Sequence, residues 1–238
     1  MRNYKARIVS APLILLPGLI CDARTFEGQQ ARFECLSING FGLRTSLQEM
    51  ARTVLEAGPA RMSLLGHSMG ARVALEVWRT APERVERLAL VSTGMHPVRP
   101  GEAEKRFALR DLGRARGMGA LVDQWLPPMV GPRARDDAEL MGKLRRMCVD
   151  AGLDAFEAQI TALLDRPEVE TLLSTIDCPV LVAAGECDVW SPPEQHRAIA
   201  AAIPGAELRI IDAAGHMLPA EAPQALNDVI ATWLARSA

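Results

Sequence analysis

Five short, largely apolar runs punctuate this chain: Leu13–Leu16, Met62–Leu65, Leu88–Ser92, Val180–Ala184 and Leu208–Ile211, each bounded by glycine, proline or a charged residue. The runs are continuous rather than alternating. A strand made from any of them must be covered on both faces, as in a parallel sheet flanked by helices. Helical patterns lie between them at Ser46–Ala57, Met69–Thr80, Pro193–Ala202 and Ala222–Ala235, the first opened by a capping box of Ser46 and Glu49. Strands and helices in alternation predict an α/β fold with a mostly parallel central sheet.

One stretch interrupts the alternation. Residues 97–175 contain no strand pattern and are broken at Gly117, Pro127-Pro128, Gly131-Pro132, Gly152 and Pro167, which predicts an insertion of four or five helices. It follows Ser92, at the carboxyl end of a strand, the edge where open α/β sheets bind ligands. The expected organisation is therefore a core of residues 1–96 and 176–238 and a helical cap of residues 97–175.

The chain has 238 residues, enough for one large domain with such an insertion, and a net charge of −2, which gives no argument for a nucleic acid or an anionic membrane surface. Its five cysteines are scattered and form no CxxC pair, so neither a zinc knuckle nor a disulfide framework is expected, and a reduced, cytoplasmic compartment is. Lys5 and Arg7 precede the apolar run Ile8–Leu16, but Pro12 interrupts it and no small-residue cleavage site follows, so the run reads as fold rather than signal peptide. No segment reaches the ~18 consecutive apolar residues of a membrane span. Neither a P-loop, a dinucleotide fingerprint nor HExxH is present, so no cofactor or metal is implied.

The chemistry begins at Gly66-His67-Ser68-Met69-Gly70, set between a strand pattern and a helical one. A G-x-S-x-G pentapeptide in that setting is a sharp turn that holds a serine hydroxyl above the sheet, with the helix N-terminus favouring negative charge. A serine hydroxyl needs a base. Of the four histidines, His67 neighbours Ser68 and is expected to point away from it, His96 opens the insertion and His196 lies in a helical pattern. His216, in Ala214-Gly215-His216-Met217, follows the last strand and can reach the top of the sheet. The imidazole needs an orienting carboxylate. Asp188, in Gly185-Glu186-Cys187-Asp188 after the strand Val180–Ala184, is favoured over Glu186 and Asp212.

These segments, with Leu15-Leu16-Pro17-Gly18-Leu19 and Ala81-Pro82-Glu83-Arg84-Val85, make the chain resemble the α/β-hydrolase superfamily, whose chain order of nucleophile, acid and base is that of Ser68, Asp188 and His216. They span nearly the whole chain outside the insertion and are specific for the superfamily rather than for one activity. The resemblance implies an oxyanion hole made by the backbone N–H groups of Met69 and Leu19. Pro17 stands where the family usually carries histidine, which leaves open how that loop is anchored. A first hairpin found in many relatives is expected to be shortened or missing. Ser68 argues against the haloalkane dehalogenases and epoxide hydrolases, which use aspartate there, and the absence of a carboxylate in Val91-Ser92-Thr93-Gly94 favours Asp188.

Trp125, Met129 and Met147 from the insertion, with Leu19, Trp190 and Met217 from the core loops, are expected to line an apolar small-molecule pocket. The expected function is hydrolysis of a small-molecule carboxylic ester through an acyl-enzyme. A lactone, a thioester or the C–C bond of a 1,3-dicarbonyl compound would use the same triad, and a slow-turnover ligand receptor is the reading from another class. Small to medium uncharged acyl groups are expected, with most of the insertion's ten arginines and two lysines in solvent and room for one of them to face inward and hold a carboxylate.

Overall fold

The computed structural model describes residues 11–237. The basic head of the Ile8–Leu16 run and any first hairpin lie outside the described residues. Six strands form one sheet: β1 (Leu13–Leu16), β2 (Cys35–Ser37), β3 (Met62–His67), β4 (Val85–Val91), β5 (Val180–Gly185) and β6 (Glu207–Ile211). Their order is β2-β1-β3-β4-β5-β6, and every neighbouring pair is parallel. All five apolar runs become strands. The sixth, β2, is an edge strand of three half-exposed or exposed residues, and so carries no continuous apolar signal.

The two faces of the sheet explain why the central strands are apolar throughout. Ile14, Leu16, Leu64 and Leu90 pack into one core with α1 (Leu47–Ala57) and α2 (Met69–Thr80), while Leu15, Leu65, Ala89 and Leu181 pack into a second with the C-terminal helix. The capping box at α1 forms with a shift: Ser46 Oγ accepts from Glu49 N at 3.2 Å, but Glu49 reaches back to Thr45 N at 3.1 Å. All six strands thus bring their carboxyl ends to one edge, with α2 starting there immediately after β3.

Between β4 and β5 the chain is helical. The main elements are α3 (Glu102–Trp125), α4 (Ala138–Ala151) and α5 (Leu153–Leu164). Gly117 interrupts α3 with φ 84°, and Gly152 separates α4 from α5 with φ 82°, two of the breaks read from the sequence. Three further helices complete the main elements: α6 (Pro193–Ala202) after β5, a short Leu218–Glu221 turn, and α7 (Pro223–Leu234), which buries Leu226, Ile230 and Trp233 against the sheet. Among the described residues no helix is long and apolar enough to cross a membrane, and all five cysteines are free thiols.

Candidate active site

Ser68 sits between β3 and α2 with φ 54° and ψ −115°, a conformation that L-residues hold only under constraint. The flanking glycines supply the constraint. A Cβ at Gly66 would lie 2.4 Å from the backbone of Ala71, and one at Gly70 would lie 2.0 Å from the carbonyl oxygen of Leu16. The turn can be this tight only because both positions lack a side chain, and β1 and α2 then close on it from either side. Ser68 N donates to Val91 O at 2.8 Å, and Thr93 Oγ1 donates to Ser68 O at 3.1 Å, so β4 holds the turn as well.

The loop after β6 carries His216 to this turn. Its Nε2 lies 2.9 Å from Ser68 Oγ, and its Nδ1 lies 2.8 Å from Asp188 Oδ2 on the loop after β5. Asp188 is buried. Its other oxygen, Oδ1, accepts from the amides of Trp190 (2.9 Å) and Ser191 (2.8 Å). Burial works to raise the Asp188 pKa, but His216 and the Ser191 amide outweigh it and hold the carboxyl below its ordinary value. The three side chains favoured in the sequence therefore form one hydrogen-bonded chain. Of the rival carboxylates, Glu186 is exposed and accepts from Ala213 N at 3.0 Å, and Asp212 is exposed on a separate surface cavity.

The other histidines support this chain. The ring of His67 packs against that of His216, with centroids 5.4 Å apart, and its Nε2 lies 2.8 Å from His216 O. Burial first, then the neighbouring His216, pushes its pKa down to about 3, so a neutral ring donates Nε2–H to that carbonyl. His196 is fully buried: its Nε2 accepts from Thr93 N at 2.9 Å and its Nδ1 lies 3.1 Å from Pro192 O, making it a packing residue behind the Ser68 turn.

Leu19 and Met69 line the same cavity as Ser68. Among the described residues neither of their amides donates to a protein acceptor. Met69 opens α2, where the first N–H groups have no intrahelical partner. The Pro17-Gly18-Leu19 loop is anchored from the insertion, by Gln159, whose Oε1 accepts from Ile20 N at 2.7 Å and whose Nε2 donates to Gly42 O at 3.0 Å. No sequence signal marks Gln159, which sits mid-helix among apolar residues.

The cavity has a volume of about 350 Å³. Trp125, Met129, Trp190 and Met217 line it. Met147 does not. It packs at the base of a separate, larger cavity of about 640 Å³, where Thr25 Oγ1 donates to its sulfur at 3.3 Å. None of Ser68, Asp188 and His216 reaches that larger cavity, so the chemistry belongs to the smaller one. Residue type alone favours Met147 for the pocket, but its side of α4 turns towards the 23–26 turn. Of the twelve basic residues between β4 and β5, Arg99, Lys105, Arg106 and Arg166 lie on the cavity wall, joined by Arg72 of α2.

The helical segment between β4 and β5 is bonded to the His216 loop directly. His216 N donates to Met129 O at 2.7 Å, and Glu221 Oε2 accepts from both Gly131 N (2.7 Å) and Gly215 N (2.8 Å). Burial raises the Glu221 pKa, against the lowering effect of those amides. Glu221→Ala is expected to destabilise the fold by about 2 kcal/mol, because two amides lose a charged acceptor; Glu221→Gln, which keeps an oxygen in place, should recover most of it. Urea denaturation of the two variants checks this, and equal stabilities would show that the carboxylate does not support the loop.

The profile of the Alpha/beta hydrolase family matches residues 13–229. The chain is 25% identical over 223 residues to the pimeloyl-acyl-carrier-protein methyl ester esterase of Nitrosomonas europaea, an alignment covering 86% of this chain and 88% of that one. The malate-bound structure of an esterase from Thermogutta terrifontis is similar with a TM-score of 0.84 at 27% identity, over 94% of this chain and 89% of that one. The enol-lactonase of Burkholderia xenovorans LB400 shares the fold, with a TM-score of 0.84 at 23% identity over 97% and 94%. A match of that extent, on a parallel sheet of this order, means that the chain belongs to the alpha/beta hydrolase family.

Proposed function

We propose that the protein is a serine hydrolase that cleaves a small carboxylic ester through an acyl-enzyme. The observation that carries this reading is the hydrogen-bonded chain from Asp188 through His216 to Ser68, ending at a strained turn that faces the cavity. Ser68 Oγ attacks the ester carbonyl while His216 Nε2 takes its proton. Asp188 keeps the imidazole proton on Nδ1 and stabilises the imidazolium. The N–H groups of Leu19 and Met69 receive the negative charge that develops on the carbonyl oxygen. His216 returns its proton to the departing alcohol, then activates a water that releases the acid and restores the Ser68 hydroxyl. The esterase relatives support an ester as the bond broken. The helices between β4 and β5 act as a cap, supplying Trp125 and Met129 to the cavity and Gln159 to the oxyanion loop. A fluorophosphonate probe tests the reading. It should label the native protein and leave Ser68→Ala unlabelled, and labelling that persists in Ser68→Ala would overturn it.

The size of the cavity sets the acyl length. A chamber of about 350 Å³ lies at the small end of small-molecule sites and does not hold a triacylglycerol. Each methylene that fits contributes up to about 0.8 kcal/mol, so kcat/KM for p-nitrophenyl esters should rise from acetate over the next few carbons and then fall. A series from acetate to palmitate measures this, and a maximum at palmitate would show that the cap opens to an interface.

A further inference from the structure

The cavity wall carries more positive charge than a neutral ester requires. Five cations line it, Arg72, Arg99, Lys105, Arg106 and Arg166, against a single carboxylate, Glu102. Arg166, whose side chain is only 3% exposed, is fully engaged: Nη1 and Nη2 each donate to Glu102 at 2.7 Å, and the same nitrogens donate to Leu163 O and Pro97 O. Arg106 holds the same Glu102 through Nε at 3.1 Å and Nη2 at 2.9 Å. Two guanidiniums thus share one carboxylate.

Arg72 has no carboxylate bonded to it. It is 4% exposed, and its Nη2 donates to His96 O at 2.8 Å, but its Nη1 is buried with no partner among the described residues. Glu76, one turn further along α2, is committed to Arg79 at 3.2 Å. Burial first, then the like charge of Arg166, lowers the Arg72 pKa to about 9, against the weaker pull of Glu102, Glu76 and Glu168. A buried guanidinium with idle donors is costly unless an anion completes it. Arg72 lies in α2 four residues beyond Ser68 and lines the same cavity. An anion there would share the cavity with the carbonyl presented to Ser68.

We propose that the cavity binds a small ester carrying a free carboxylate, held by Arg72 and Arg106 a short spacer away from the scissile carbonyl. A carboxylate fits because the planar guanidinium fork matches it with two parallel hydrogen bonds. The apolar remainder of the wall, including Met129, Phe156 and Met217, takes the body of the substrate. This inference names the substrate class of the hydrolase proposed above and rests on that reading. It replaces the uncharged acyl group expected from the sequence.

The test compares mono-p-nitrophenyl glutarate with p-nitrophenyl valerate, an ester of the same chain length without the charge. The native protein should favour the acidic ester by roughly tenfold or more in kcat/KM, the effect of one or two charge-assisted hydrogen bonds. Arg72→Met and Arg106→Met should each pull that ratio towards one, and Arg106→Met serves if Arg72→Met fails to fold. Binding is read separately in Ser68→Ala: at matched ionic strength glutarate should raise Tm, and adding Arg72→Met or Arg106→Met should remove the rise. An equal rise with inorganic phosphate would overturn the carboxylate assignment. Turnover of valerate with no preference for glutarate and no Tm shift would overturn the proposal while leaving the hydrolase intact. Failure to turn over either ester, with Ser68 unlabelled, would remove the hydrolase, and the glutarate Tm shift would still decide the anion site.

Discussion

Ser68→Ala is expected to lower ester turnover by about 10⁴-fold or more while the protein stays folded. The size of the loss follows from what the hydroxyl does alone. In the proposed mechanism it is the atom that forms the acyl bond, and neither His216 nor water takes its place at the end of that hydrogen-bonded chain. Folding should survive because the turn is fixed by its backbone: Gly66 and Gly70 permit the close approach of Ala71 and Leu16, and Ser68 N is held by Val91 O. The left-handed φ of 54° stays costly for alanine, so a parallel Ser68→Gly variant should be more stable than Ser68→Ala by about 1 kcal/mol. Steady-state kinetics and thermal denaturation of the two variants measure both effects. Near-native turnover in folded Ser68→Ala would remove the serine mechanism.

Asp188→Asn should come close to the same loss, about 10⁴-fold in kcat, for a different reason. Asp188 Oδ1 is already committed to the amides of Trp190 and Ser191, so an asparagine must keep its oxygen there and turn its NH₂ towards His216 Nδ1. The imidazole then carries its proton on Nε2 and cannot accept the one from Ser68. The geometry stays the same and the tautomer is wrong. Glu186→Gln and Asp212→Asn, both on exposed side chains, should change kcat by less than about threefold. Parallel kinetics on the three variants decide the assignment, and a larger loss in Asp212→Asn would transfer the orienting role to Asp212.

The parts of this site that were legible in the sequence are those fixed by local backbone. The elbow at Gly66–Gly70 needs small residues at set positions beside an apolar run, and such a pattern is written in five letters. His216 and Asp188 each follow a strand by a short loop, so strand positions alone deliver them to one edge. The charged wall was not legible in the same way. Residues 102–116 carry charge on every side of the helix, and nothing in that string says that Glu102 and Arg106 turn inward while Glu104 stays in solvent. Arg72 is legible only as a charged residue in the helix that follows Ser68. Its isolation from any carboxylate depends on how the insertion folds back, a long-range property. Edge strand β2 escaped for the opposite reason: a strand of three residues that are not buried needs no hydrophobic pattern.

The bonds that join Met129 and Gly131 to the loop of His216 also bear on how such a protein can change over generations. An insertion that touched the core only through greasy contacts could be exchanged for a foreign one, and new specificities would come from shuffling. Here the graft would have to bring its own acceptor for His216 N and its own donor for Glu221, or the His216 loop would lose its anchor. Residues 129–131 and 215–221 are coupled by these bonds and would have to change together, so point substitution along the inner wall is the easier path.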